Sequence, residues 1–322
     1  MSRRLERVWV GFLDSSQWRR LSAGALGRRV LGGSTFRSLE VRRRRLLAHL
    51  SARRQPDLAQ DVETICLFIG HVKSGGSLLG AMIDAHPDAL IADEVDALDH
   101  LAAGFSRSEL LAVMAKGSRR EALKGRVTAR RLEPYSLAID DQWQGRHRRA
   151  RVIGESRAGP TTRKLGGDPR RLDELVGFAA PARLRFIHVI RNPLDPVGAM
   201  VVRGGRTVDD AIADYSAQAE RAELIVSFLA AEEVKAVHYD TLLDRPAETL
   251  TSVFRFLDLE PEPGLVGACV DLIDSTRQPE RRFVQWTRSQ LDEVRELAER
   301  HPFLERYAAE IDFERDRSQS WI

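Results

Sequence analysis

The chain has 322 residues, 43% of them hydrophobic, and carries a formal net charge of +3 at pH 7. This length suits one large α/β domain or two small ones. No apolar run approaches the ~20 residues of a membrane-spanning helix, and the first residues lack the pattern of a signal peptide. Two cysteines, Cys66 and Cys269, are too few for a disulfide framework. We therefore expect a cytoplasmic protein.

Residues 1–60 are predicted to form a basic helical arm in front of a main domain of residues 61–322. Residues 1–55 hold 14 arginines and three acidic residues, so they carry +11 while the rest of the chain carries −8. One interpretation is an amphipathic arm that makes peripheral contact with an anionic membrane or an acidic acceptor. The other, which we favour, is a solvated helical arm packed on the main domain. Nucleic acid is not an expected partner, because no recognition motif accompanies this charge.

The chain is organised around residues 64–94. Residues 64–69 are apolar and rich in β-branched side chains, which predicts a buried strand. Small residues follow, with one cation, Lys73, and helical spacing begins at Ser77 and should end before Pro87. The backbone N–H groups of such a turn converge at the positive end of a helix, which favours phosphate binding. The candidate ligands are Lys73, Ser74, Gly75, Gly76 and Ser77.

This loop differs from the loop that binds nucleoside triphosphates. Gly70, Gly75 and Ser77 match the pattern G-x-x-x-x-G-K-[ST], but Gly76 occupies the lysine position. Without that lysine the loop loses its contact with the β- and γ-phosphates. The pattern therefore predicts a phosphate site and disfavours a P-loop kinase.

The run K-S-G-G-S, followed by L-L-x-x-M-I-D-A-H-P-D, resembles the 5′-phosphosulfate loop of sulfotransferases that use 3′-phosphoadenosine 5′-phosphosulfate (PAPS). The resemblance is strongest to the branch of protein-tyrosine sulfotransferases and many bacterial enzymes. In that branch a glutamate after D-A-H-P-D acts as the base, which by position is Glu94. The adjacent Asp93 is expected to point elsewhere, and His100 is a rival base.

A second predicted strand, residues 151–155, leads into S-R-A-G-P-T-T-R. This segment resembles G-D-K-x-G-G-x-T-T-R of a bacterial sulfotransferase branch. The family's lysine, which helps to neutralise the transferring group, aligns with Ser156. Arg157 is the nearest cation and the candidate for that role, although a guanidinium is not equivalent to an ammonium group. The alternative is a solvent-facing arginine after a strand.

A third strand, residues 185–190, precedes I-R-N-P-x-D, which resembles the family's 3′-phosphate motif. The resemblance assigns Arg191 to the 3′-phosphate, and a guanidinium beside a helix N-terminus suits that ligand. The family often has a serine eight residues later, where this chain has Ala199. Arg203, one helical turn further on, is a candidate to compensate.

The remaining candidates lie towards the C-terminus. A fourth strand is predicted at residues 234–239, where Tyr239 either faces the adenine or is a core tyrosine. A basic segment that closes over the nucleotide in relatives corresponds here to residues 275–286. Its candidates are Arg277, Arg281 and Arg282, which would otherwise be solvated charges.

Together these patterns predict an α/β fold of the P-loop type, with three layers and a central parallel sheet of four strands flanked by helices. The resemblance implies sulfuryl transfer from PAPS, as co-substrate, to an acceptor hydroxyl or amine, with Glu94, Lys73 and Arg157 as catalytic residues and no metal. Two alternatives stay open, a PAPS-binding protein with impaired catalysis, suggested by Ser156 and Ala199, and a P-loop kinase. The sequence specifies neither the acceptor nor the oligomeric state.

Overall fold

The computed structural model describes residues 34–127, 135–168, 170–273 and 280–317. These residues form two compact units, one containing residues up to 59 with 99–113, the other containing residues 60–98 and those from 114 onward. The expectations for Arg277 and for residues 1–33 of the basic arm lie outside the described residues. Within the described ranges, no helix has the length and apolar character needed to cross a bilayer.

The strands and helices alternate along most of the chain. The strands are β1 (Thr64–Gly70), β2 (Ala89–Ala92), β3 (Val152–Glu155), β4 (Arg183–Ile190) and β5 (Val234–His238). The described helices are α1 (Ser34–Ala52), α2 (Leu58–Asp61), α3 (Gly76–Asp84), α4 (Ala97–Ala102), α5 (Arg107–Leu123), α6 (Ala158–Leu165), α7 (Arg170–Ala179), α8 (Leu194–Gly204), α9 (Val208–Ser227), α10 (Tyr239–Asp244), α11 (Pro246–Phe256), α12 (Pro263–Asp271), α13 (Arg288–Arg300) and α14 (Ala308–Arg317), with 3-10 turns at Glu280–Phe283 and Glu305–Tyr307.

The five strands form one sheet in the order β2-β3-β1-β4-β5, and every neighbouring pair is parallel. The predicted α/β fold with a central parallel sheet is confirmed. The predicted number of four strands is wrong, because β2 was not recognised. Its four residues, Ala-Leu-Ile-Ala, are too few to show a strand period.

Apolar side chains on the sheet and helices form the core. All seven residues of β1 are buried, as expected for a central parallel strand. Residues of β1, α3, α11 and α12 belong to one apolar cluster. Residues of α8, α9, α13 and α14 belong to another. Cys66 and Cys269 are both buried and free, as the sequence indicates.

The strand register brings four chain segments to one edge of the sheet. Gly70 pairs with Val189, and Glu155 pairs with both Leu67 and Ala92. Because parallel strands end at the same edge, the segments that follow β1, β2, β3 and β4 meet there. The candidate site is built from these four segments.

In the other unit, α1 contains part of the basic arm. Arg43 and Arg44 both pair with Glu40, at 2.9 and 3.1 Å. Arg45 lies 3.4 Å from Glu109, whose side chain is buried. Part of the positive charge of this helix is therefore balanced within its own unit.

Candidate active site

Residues 70–77, here called the phosphate loop, connect β1 to α3. Lys73 and Gly75 have φ angles of 68° and 102° in the left-handed region. A Cβ on Gly75 would lie 2.3 Å from Cδ2 of Tyr239, so only glycine fits at this close approach. Two hydrogen bonds fix the first residue of the loop. The Gly70 N–H donates to Thr162 Oγ1 at 2.8 Å, and Gln218 donates to the Gly70 carbonyl at 2.9 Å.

Ser74 supplies a reason to place a ligand in this loop. Its side chain is buried, and its hydroxyl has no hydrogen-bond partner among the described residues. Buried polar atoms are almost always paired, so an unpaired hydroxyl beside a helix N-terminus suits the oxygen of a bound anion. Lys73 and Ser77 are exposed at the same loop.

Arg191 follows β4 and lies against the phosphate loop. Its Nη1 donates to the Lys73 carbonyl at 3.2 Å, and its Nε donates to Asp195 Oδ2 at 3.0 Å. The guanidinium carbon lies 4.6 Å from the ring centroid of Tyr239, within cation–π range. Tyr239 therefore contacts both the loop and Arg191. Asn192 is buried and accepts the N–H of Leu194, the first residue of α8.

Two other predicted arginines, Arg203 and Arg281, are bound by carboxylates that also contact Arg191. Arg203 pairs with Glu280, a residue that sequence reasoning did not select. Arg281 lies 3.6 Å from Asp195 and 3.7 Å from Glu310, whereas Arg282 is exposed. Ala199 is buried on α8.

Residues 93–97, here called the transfer turn, follow β2. Asp93 Oδ1 accepts a hydrogen bond from Ser77 of the phosphate loop at 3.5 Å and from Ser156 at 3.1 Å. The expectation that Asp93 points elsewhere is therefore wrong, because these two hydroxyls bind its carboxylate at the loop. Burial raises the pKa of Asp93. The hydroxyl of Ser156 thus takes a partner at the position where the resembled family has its lysine.

Glu94 is exposed and has a φ angle of 43°. Left-handed backbone is uncommon for residues other than glycine and clusters at functional sites. Asp96 of the same turn has a φ angle of 64°. His100, the rival base, lies in the other unit.

Glu155, at the end of β3, stabilises the transfer turn from beneath. Its two carboxylate oxygens accept the N–H groups of Asp96 and Ala97 at the start of α4. Burial raises the pKa of Glu155 to about 7, although these two bonds favour the charged form. Sequence reasoning missed this residue, since a buried glutamate at a strand end has no local signature.

Arg157, the predicted substitute for the family's lysine, forms a salt bridge with Asp96 at 3.0 Å. Lys164 pairs with the other oxygen of the same carboxylate. Both cations therefore lie on the transfer turn, and the Arg157 side chain retains 38% of its exposure.

Asp84, near the end of α3, connects the helix that follows the phosphate loop to the strand that precedes the transfer turn. Its carboxylate accepts the N–H groups of Ile91 in β2 and of Gly145, the latter at 2.9 Å. Ser118 donates to it at 2.6 Å, and the buried Arg126 forms an ion pair with it. The aspartate of D-A-H-P is thus a structural residue that fixes β2 to α3.

The family comparison agrees with this geometry. The model of the sulfotransferase family matches residues 67–263, more than half of the chain. The comparison with curated proteins found no match.

Several solved structures are similar to the chain. The sulfotransferase STF9 from Mycobacterium avium shares 10% identity, with 93% of this chain and 95% of that chain covered and a TM-score of 0.47. STF1 from Mycobacterium tuberculosis H37Rv shares 13% identity over 94% and 98%, with a TM-score of 0.44. The sulfotransferase domain from the Synechococcus PCC 7002 olefin synthase shares 16% over 74% and 94%, with a TM-score of 0.46.

Proposed function

Because the chain belongs to the sulfotransferase family, we propose that it transfers a sulfuryl group from PAPS to a hydroxyl or amine of an acceptor. One observation supports this most directly. The guanidinium of Arg191 lies on the phosphate loop, 3.2 Å from the Lys73 carbonyl, so two anion sites are adjacent. A nucleotide with anionic groups at both its 5′ and its 3′ position matches such a pair. PAPS supplies the activated sulfuryl group when it is bound.

In this proposal the phosphate loop binds the 5′ end of the nucleotide. The N–H groups of Gly75, Gly76 and Ser77 and the unpaired hydroxyl of Ser74 are the donors. Lys73 offsets negative charge on the leaving phosphate oxygen, and a fixed cation is effective there because it needs no reorganisation. Arg191 binds the 3′-phosphate and so fixes the donor's position, and Arg281, Arg282 and Arg203 extend this positive surface.

Glu94 takes the proton of the acceptor. It follows Asp93, whose bonds to Ser77 and Ser156 fix the chain beside the loop. A general base must lie within hydrogen-bond reach of the proton it removes, and an exposed carboxylate beside the loop is suited to that. Arg157 would add positive charge at the transfer step by sharing or leaving Asp96.

A P-loop kinase agrees less well with the structure. At Gly76, where a triphosphate-binding loop has lysine, a Cβ would lie 3.0 Å from the Ser156 carbonyl. That spacing leaves little room for a side chain. A PAPS-binding protein without catalysis stays an alternative, and transfer from labelled PAPS to any member of an acceptor screen distinguishes it.

Nucleotide binding tests the donor assignment before any acceptor is known. Adenosine 3′,5′-bisphosphate at about 100 times its Kd should stabilise the protein by about 2.7 kcal/mol. AMP at equal concentration should stabilise it less, since it leaves Arg191 without its phosphate. The measurement is the Tm of the full chain with each nucleotide.

Two variants separate the 3′ contact from general charge. Arg191→Ala should remove the difference between the two nucleotides, whereas Arg288→Ala, which changes an exposed arginine on α13, should preserve it. Equal stabilisation of the unaltered protein by both nucleotides would show that the 3′-phosphate assignment is wrong.

A further inference from the structure

Two buried carboxylates contact three of the four arginines proposed for the donor site, namely Arg191, Arg203 and Arg281. Asp195 accepts from Arg191 Nε at 3.0 Å and lies 3.6 Å from Arg281. Glu280 pairs with Arg203 and lies 3.8 Å from Arg191 Nη2. The side chains of Asp195 and Glu280 are only 5% and 6% exposed, so both ion pairs are shielded from water.

The two carboxylates occupy different parts of Arg191. Nε is bound to Asp195 and Nη1 to the Lys73 carbonyl, which leaves Nη2 facing Glu280. Asp195 lies four residues along on α8, so it contacts the guanidinium from the protein side. A phosphate that binds Arg191 with two hydrogen bonds needs the Nη2 side. Glu280 lies on that side.

The carboxylate of Glu280 can leave Arg191 only by a movement of its side chain, because its backbone is held in place. A Cβ on Gly198 of α8 would lie 2.9 Å from the backbone nitrogen of Arg281 and 3.0 Å from the carbonyl carbon of Glu280. The backbone of the 3-10 turn is therefore packed directly on α8. The carboxylate of Glu280 is flexible by comparison, because it is at the end of a side chain with three torsions.

We propose that Glu280 is an intramolecular competitor whose carboxylate occupies, on Arg191 and Arg203, the place of the donor's 3′-phosphate. This inference rests on the proposed function. A phosphate monoester carries about −1.5 to −2 at neutral pH and displaces a single carboxylate. A nucleotide with a 3′-hydroxyl does not displace it. Glu280 thereby lowers the affinity for the bisphosphate, because the 3′-phosphate must displace it, and leaves the affinity for AMP nearly unchanged.

The test compares the two carboxylates, which should have effects of opposite sign. Glu280→Gln removes the competitor, so its affinity for adenosine 3′,5′-bisphosphate should rise by about tenfold or more. Asp195→Asn loosens the orientation of Arg191, so its affinity should fall by about tenfold. Affinity for AMP should change by less than about threefold in Glu280→Gln. Titration calorimetry on the full chain measures all three.

Inorganic phosphate provides a second measurement that stays informative if the variant is less stable. Glu280→Gln removes one negative charge from Arg191 and Arg203, and phosphate can replace it. Its Tm should therefore rise more with phosphate than that of the unaltered protein, and an unstable variant should be rescued by phosphate.

The outcomes separate the two proposals. If Glu280→Gln binds the bisphosphate no more tightly and gains nothing from phosphate, Glu280 is a structural partner of the arginines and this inference is overturned. If the unaltered protein does not bind the bisphosphate, the donor assignment itself is wrong.

Discussion

The two halves of the candidate site have opposite charge. The donor half consists of the phosphate loop and the arginines near Arg191, and its cations contact backbone carbonyls and buried carboxylates. The transfer half consists of residues 93–97, and its carboxylates contact hydroxyls and the cations Arg157 and Lys164. Arg191 is oriented by a carboxylate and a backbone carbonyl, and Asp93 and Asp96 by hydroxyls and cations, from other segments of the chain. In the proposed function, one half binds an anion and the other accepts a proton.

The halves also differ in how they are fixed. The donor half follows β1 and β4, which pair along seven residues of the central sheet. The transfer half follows β2, a four-residue edge strand. Asp84 compensates for this by connecting α3 to β2. The short strand is thus positioned by a buried polar contact as well as by sheet pairing.

The largest expected effect is a loss of turnover in the transfer half without a loss of nucleotide binding in the donor half. Glu94→Gln keeps the size of the side chain and removes the basic oxygen. Turnover should fall by about 10²–10⁴, the usual contribution of a positioned base, while binding of adenosine 3′,5′-bisphosphate should be unchanged. The measurement is single-turnover transfer from labelled PAPS to an acceptor found by screening.

Asp93→Asn is the matched variant for this experiment. Its amide oxygen can still accept from Ser77 and Ser156, so the fold and donor affinity should be maintained. We expect turnover within about tenfold of the unaltered rate, well short of the loss of a base. A full loss in Asp93→Asn with a retained rate in Glu94→Gln would assign the base to Asp93.

The next effect concerns the connection between the halves. Asp84→Ala leaves the buried Arg126 without its counter-ion, and breaking a buried pair in this way destabilises by about 3–5 kcal/mol. Urea unfolding measures it. Asp88→Ala, in the same D-A-H-P-D segment, removes a pair with Arg148, whose side chain is 62% exposed, and should destabilise far less. Equal losses of unfolding free energy in the two variants would mean that Asp84 does not fix β2 to α3.

The sequence predicted the donor half better than the transfer half, for a physical reason. The strand, the glycine-rich loop and the helix are contiguous, so local patterns are sufficient to identify residues 64–84. Arg191 likewise follows a strand whose apolar run is visible. The salt bridge between Glu280 and Arg203, 77 residues apart in the chain, has no local sequence signature.

The transfer half depends almost entirely on distant contacts. Asp93 was expected to point away, but its position is determined by Ser156, which is 63 residues away. Glu155 reaches Asp96 from a different strand, and β2 is too short to show a period. Such contacts form only when the sheet brings the strand ends together. The site assignments that rest on resemblance stay predictions until the variants are measured.

The smallest expected effect is a pH dependence of the free energy of unfolding, caused by Glu155 beneath the transfer turn. Burial raises the pKa of Glu155 from 4.5 to about 7, so the folded state binds this proton more tightly than the unfolded chain. The stability from this group is complete below about pH 4.5, falls as the pH rises, and levels off above about pH 7, a change on the order of 3 kcal/mol.

Two buried histidines change the stability with pH in the opposite direction. The pH profile of the unaltered protein alone therefore cannot isolate the contribution of Glu155, and a variant is needed. Burial lowers the pKa of His71 to about 4 and that of His188 to about 3, so their contribution is lost as the pH falls below about 6.5. Glu155→Gln removes only the carboxyl titration. Its amide has one oxygen for two N–H groups, so the variant should be less stable than the unaltered protein by about 1 kcal/mol from the lost hydrogen bond at low pH. Because only the unaltered protein loses the Glu155 contribution between pH 5 and pH 7.5, that difference should shrink or reverse over this interval in urea unfolding. A difference that stays constant or grows with pH would mean that Glu155 is ionised throughout, and the transfer turn would then be held by a permanent charge, as the donor half is.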